Sequence, residues 1–174
     1  MNRDSLLALY TYNAYANNLV LESVELLSQE ELTRVTSPSH ESVLNLLHHL
    51  FGVEAHFLAQ CQKRPTSFNP LELQTIAAIR QYAAKLTEAE QSFIASLDEA
   101  ELTRPIDIQL MKHPFRFPMW QPLTQAVVHS THHRGELSIL LSLLGYPLPT
   151  LDIIVKFAEE SGQGWPWEKG TARQ

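Results

Sequence analysis

Apolar side chains recur at helical spacing over four long stretches separated by proline-bearing breaks, a pattern that restricts the chain to packed helices. The first stretch runs from about Asp4 to Ser28, with Leu6, Leu9, Asn13, Ala16, Val20, Val24 and Leu27 in phase. A loop with Pro38 precedes the second, about Ser39 to Cys61, whose stripe is Val43, Leu46, Leu50, Val53 and Phe57. Ser39 or Ser42 is placed to cap its start. KRPTSFNP (63–70) interrupts, and the third stretch covers about Leu71 to Leu97. Residues 104–122 carry four prolines, which exclude a long helix, while IDIQL and FRF alternate as short strands do. A long crossover holding a small hairpin is expected there. The fourth stretch begins near Pro122 and ends at Gly145, before Pro147. A short helix is expected around Leu151 to Glu160, then an irregular end over GQGWPWEKGTARQ, with no internal repeat along the chain.

Long helices joined by short loops and one long crossover describe an all-α four-helix bundle, here a single domain over residues 1–174. With 44% hydrophobic and 18% charged residues the chain is globular, not disordered. Thirteen basic against nineteen acidic residues give a net charge of −6 with no basic stripe, which argues against nucleic acid as a partner. No apolar run approaches the ~20 residues of a membrane span, and MNRDSLLALYTYNAY lacks the apolar core of a signal peptide. The single cysteine, Cys61, excludes an internal disulfide and fits a reducing compartment, so a cytoplasmic location is expected. Cys61 itself reads as a small buried thiol, with no basic neighbour to make it reactive.

Chemistry concentrates in the histidines. Of eight, six fall in two clusters: His48, His49 and His56, and His129, His132 and His133. His129 and His133 lie about 40° apart on a helix, so both rings share the arc of Ala126, Leu137, Leu140 and Leu144. Two imidazoles aimed into an apolar core need partners, and one divalent ion would serve both. For a third ligand the candidates are His40, His48, His49, His56 and His113. His49 and His56 share the border of the second apolar arc but stand about 10.5 Å apart along it, so only one can join; periodicity does not choose between them. His48 points elsewhere. His40, His56 and His113 each lack a matched partner and read as rings bonded to carbonyls, and His132 as a packing residue beside the site. A set of neutral imidazoles suits zinc, nickel, iron or copper.

Taken together these motifs resemble the DinB (DinB/YfiT-like) family of metal-dependent enzymes. YNAYAN (12–17) is similar to its first-helix signature, with Tyr15 where tryptophan is common, and ESVLNLLHHLFGVEAHFL (41–58) to its second-helix motif. VVHSTHHRGELSILLSLLGYPLP (127–149) resembles its His-x-x-x-His-Arg-Gly run, and PTLDIIVK (149–156) its closing helix with Asp152. The resemblance implies His49, His129 and His133 as the metal triad, with Glu54 and Phe57 the acid and aromatic that follow the first ligand. Glu136 departs from the family's usual glutamine and adds negative charge near the site.

The resemblance further implies an up-down-down-up bundle, frequently a homodimer, and thiol-dependent S-transferases using a low-molecular-weight thiol, or hydrolases, as the chemistry. The expectation is a metal-dependent enzyme acting on a small molecule, with Glu54 and Arg134 as possible supporting residues: Glu54 an acceptor or base or else a surface acid, Arg134 a clamp for a substrate carboxylate or a bundle-end ion pair. Trp120 reads as a core anchor. The alternative is a non-catalytic metal-binding helical module working through dimerisation or in a stress response. DNA binding, suggested by the family's name alone, is opposed by the acidic charge.

Overall fold

The computed structural model describes residues 1–37 and 39–163, so Pro38 and most of the expected irregular C-terminal end lie outside the described residues. The chain is mostly helical. Four long helices carry it: α1 (Arg3–Val24), α3 (Val43–Gln62), α4 (Ile76–Ser96) and α6 (Trp120–Leu143). Between and after them come α2 (Gln29–Thr33), α5 (Glu99–Thr103), a hairpin of β1 (Pro105–Leu110) and β2 (His113–Pro118), and α7 (Ile153–Glu160). Asn2 caps α1, Ser42 rather than Ser39 caps α3, and Thr75 caps α4 through side-chain oxygens. Gly145 ends α6: at φ 91° it takes the left-handed position, and the Gly145 and Tyr146 amides close back on Ser142 and Leu141.

The first stretch stops at Val24, short of the expected Ser28, and Ser28 instead opens the separate helix α2. The third starts at Ile76 rather than Leu71, ends at Ser96, within one residue of the expected Leu97, and is followed by α5, which Asp98 opens. Each short helix starts with a capping box, Ser28 with Glu31 and Asp98 with Glu101. The leucines flanking each box, Leu27 with Leu32 and Leu97 with Leu102, are buried as a hydrophobic staple would have them. LSQEELTR (27–34) and LDEAELTR (97–104) are thus one local signal used twice, a short repetition in a chain expected to have none.

The hairpin forms where alternation places it. Ile106 and Ile108 of β1 turn into the core while their neighbours face out, and Met111 and Lys112 both take positive φ at the tight turn. Helix packing closes a ring: α1 lies on α4 and α6, and α3 lies on α6 and α4. One apolar cluster gathers Leu6 from the start of α1, Phe57 and Cys61 from the end of α3, Ile94 from the end of α4 and Leu123 from the start of α6. A second gathers Val24, Leu47, Ile79 and Leu141 from the opposite ends of the same helices. Between them lie the buried polar residues Asn13 and Asn17 of α1, Glu54 of α3, Glu90 of α4, and Ser130 and Arg134 of α6. Cys61 is buried as expected, and burial pushes its thiol up to about 12. Among the described residues no helix is long and apolar enough to cross a membrane.

Ser28→Ala and Asp98→Ala are each expected to lower stability by about 1 kcal/mol in urea unfolding, since each leaves the first turn of a short helix without its acceptor. Glu90 is a second handle. Its Oε1 has no hydrogen-bond partner among the described residues, and burial, reinforced by the charge of Glu54, holds its carboxyl well above the ordinary value of 4.5. The unfolded chain therefore releases this proton first, and stability falls as pH rises from 4.5 towards the folded-state value. Glu90→Gln is expected to stabilise the protein at pH 8 and to change little at pH 4; an equal effect at both would show that ionisation of Glu90 is not the cause.

Candidate metal centre

His129 and His133 leave α6 one turn apart, and α3 brings His49 opposite them. The Nε2 atoms of His49 and His133 lie 3.1 and 3.2 Å from Nε2 of His129. Ring centroids within this trio are 4.4 to 4.8 Å apart. A neutral imidazole carries one N–H, so His129 Nε2 cannot donate to both neighbours, and its Nδ1 is buried without a partner among the described residues. Three nitrogens facing one another at this distance are poorly served by hydrogen bonds and well served by a shared cation. The donor set is right for one. Burial first, then the neighbouring rings of His133, His49, His132 and His40, lower His129 to about 4. Burial also lowers His49 and His133, against the opposing effect of the hydrogen bond that His133 Nδ1 donates to Glu136. All three rings are therefore in the neutral, ligating form at pH 7.

A fourth ring comes from outside the helices. His40, in the loop between α2 and α3, lies with its centroid 4.3 Å from that of His49 and 5.1 Å from that of His133. Ligand atoms of His40, His49 and His133 fall within 4.8 Å of one another, so these three could also hold a metal ion. Two overlapping trios thus share His49 and His133. The reading of His40 as an isolated ring bonded to a carbonyl is overturned: its Nδ1 lies 2.8 Å from Ser39 Oγ.

Glu136 ties this corner together. Its Oε2 lies 3.3 Å from His133 Nδ1 and 4.0 Å from His40 Nδ1, while Oε1 accepts from Ser37 Oγ (2.8 Å) and from Ser39 Oγ. Burial pushes its carboxyl up, but the bonds from Ser39, Ser37 and His133 and the charge of His40 outweigh that and hold it below its usual value. A carboxylate on Nδ1 orients an imidazole and leaves Nε2 for a ligand.

The remaining histidines stand elsewhere. His48 faces the Leu73 carbonyl at 2.7 Å, and His56 contacts Gln60 and the Gln109 carbonyl of the hairpin. His113 is exposed on β2, and His132 is exposed with its ring 4.9 Å from that of His133.

Glu54 and Arg134 do not reach the imidazoles by hydrogen bonds. Glu54 is 2% exposed, which overturns its reading as a surface acid; its Oε1 accepts from Asn13 (2.7 Å), Asn17 (3.0 Å) and Ser130 (2.5 Å). Arg134, 1% exposed, donates to Asn13 Oδ1 (2.6 Å), Asn17 Oδ1 (2.7 Å) and Thr131 Oγ1 (2.8 Å), and its guanidinium lies 5.5 Å from the Tyr12 ring centroid. Its hydrogen bonds run inside the bundle, and among the described residues it makes no bundle-end ion pair. Asn13 and Asn17 bridge the acid and the base; they lie one turn apart on α1, the spacing that marked His129 and His133. A groove of about 920 Å³ between α1, α6 and residues 147–153 is lined by Tyr12, Thr131, Arg134 and Leu151 but by none of the histidines. Trp120 is only partly buried, against the apolar cluster at the start of α6.

The DinB family model matches residues 1–165. This chain belongs to the DinB family. Its fold is similar to the crystal structure of a DinB-like protein from Bacillus cereus ATCC 10987, with a TM-score of 0.60 and 20% identity over 86% of this chain and 99% of that one. A search of curated proteins finds no match. In this DinB-family chain, Glu54→Ala is expected to cost about 3 kcal/mol in urea unfolding, because it leaves the buried Arg134 charge without its counterpart. The exposed His132→Ala should stay within about 0.5 kcal/mol of wild type.

Proposed function

We propose that this protein is a metal-dependent enzyme acting on a small molecule, with His49, His129 and His133 holding one divalent ion. The observation that carries this reading is the approach of the His49 and His133 Nε2 atoms to within 3.1 and 3.2 Å of His129 Nε2, from two separate helices. When bound, such an ion acidifies a thiol or a water and supplies a nucleophile at neutral pH. The chain's own residues do the rest: burial keeps the three rings neutral, and Glu136 turns His133 so that Nε2 faces inward. Both thiol S-transfer with a low-molecular-weight thiol and hydrolysis fit such a site; in this reading thiol transfer ranks slightly ahead, with zinc, nickel or iron as the ion, although family membership does not decide between them. Glu54 and Arg134 act at a distance, as the buried frame behind Ser130 and His133.

Several coarser features support the architecture expected of this reading. The apolar cluster shared by the starts of α1 and α6 with the ends of α3 and α4 supports an up-down-down-up four-helix bundle, in one domain. Val128, Ile139 and Leu143 of α6 and Ile154 and Phe157 of α7 are exposed apolar side chains, which supports a homodimer. The acidic composition and buried Cys61 suit a cytoplasmic protein that does not bind nucleic acid.

The rival is a structural metal in a non-catalytic module, which the nearness of His40 favours because structural sites close with four protein ligands. Metal content and thermal unfolding of His49→Ala and His133→Ala separate the two. Protein purified without chelator is expected to hold about one divalent ion per chain, and both variants to lose it while circular dichroism and Tm stay close to those of the wild type. Collapse of the fold on metal loss would favour the structural module, and a wild type with no bound metal would end both.

A further inference from the structure

Nothing in the family resemblance gives His40 a role, yet its ring is packed into the cluster and the loop that carries it is tied down. Ser37 and Glu41 pair across the loop, and the Thr36 amide donates to the Glu41 carbonyl at 2.7 Å. Ser37 Oγ receives the backbone N–H groups of Ser39 and His40. The hydroxyls of Ser37 and Ser39 both donate to Glu136 Oε1 on α6, so one carboxylate anchors the loop and, through its other oxygen, orients His133. With Nδ1 of His40 engaged by Ser39, Nε2 is the nitrogen left to act as a ligand. Of the described histidines outside the helix-borne trio, His40 alone joins a grouping whose ligand atoms can share an ion.

We propose that His40 is a fourth, exchangeable ligand of the metal centre, occupying the position that a thiol must take. This rests on the reading of His49, His129 and His133 as ligands. Exchangeability follows from where His40 is attached. The other three imidazoles leave long helices locked by the buried polar network, whereas His40 leaves a short loop held by serine hydroxyls, and its side chain is 24% exposed against 8% for His133. His40 can therefore leave without moving a helix. A centre with four protein ligands at rest and three when occupied reconciles the four clustered rings with the open position that catalysis needs.

Cobalt(II)-substituted protein tests this without any assay of activity. X-ray absorption on the wild type is expected to count four imidazoles per ion, and on His40→Ala three. His40→Ala should still bind cobalt, but about tenfold or more weakly, since even loss of a group that only orients a ligand costs that much. 2-Mercaptoethanol should raise a sulfur-to-cobalt absorption band in both proteins. If His40 occupies the ion about nine-tenths of the time, the thiol should bind about tenfold more tightly to His40→Ala. His40→Gln should behave like His40→Ala, and His132→Ala like the wild type. Three imidazoles in the wild type, or unchanged cobalt affinity in His40→Ala, would overturn the assignment of His40 as a ligand. Four imidazoles with no thiol binding to the wild type would overturn exchangeability and favour a structural centre. No cobalt binding by the wild type would instead remove the proposed metal function, and this inference with it.

Discussion

A buried arginine sets the terms for this structure. Arg134 is 1% exposed in a buried polar layer between two apolar clusters, where an uncompensated charge costs several kcal/mol. Burial pulls its pKa down, and Glu54 and Tyr12 pull it back. The compensation is relayed: Asn13 and Asn17 accept from the guanidinium through their oxygens and donate to Glu54 through their nitrogens. Ser130 closes the network from α6 to Glu54. Apolar faces slide over one another at modest cost, but this set of bonds is satisfied at one axial register of α1, α3 and α6.

That register is what assembles the histidines. Ser130 adjoins His129 and Arg134 adjoins His133, while Glu54 lies five residues, about 7.5 Å, beyond His49 on α3. Holding Ser130 and Arg134 level with Glu54 and the two asparagines brings the ring of His49 against those of the α6 pair. The polar layer and the imidazole cluster are therefore two consequences of one alignment. Glu136, one turn past His133, extends the same order outward to the loop that carries His40.

Membership of the DinB family and likeness to a solved DinB-like fold establish what kind of chain this is, and at 20% identity that likeness concerns fold alone. Function has to be argued from the site. Its main chemical property is that several imidazoles are kept neutral by burial and by one another's company, which suits them to bind a cation and unsuits them to carry protons near pH 7. The large groove on the other side of α6 is a separate feature, with no imidazole in its lining.

Much of this was legible in the residues. Apolar periodicity outlined the four long helices, alternation marked the hairpin, and the four-residue spacing of His129 and His133 marked a pair of rings on one buried arc, because each of these is a local, repeating geometry. The same spacing in Asn13 and Asn17, and the capping boxes that open α2 and α5, were equally local signals, but asparagine does not stand out inside a long helix, and a helix of five residues is too short to show apolar periodicity. Periodicity left His49 and His56 undecided and Glu54 open between a supporting acceptor and a surface acid, and it made His40 a lone ring. The family resemblance pointed to His49; the tertiary structure brings His49 and His40 into one cluster and buries Glu54. Which ring meets which, and whether an acid faces water or an arginine, depends on the axial register and on how a non-repeating loop folds back; both come from contacts between residues far apart in the chain, which no local spacing encodes.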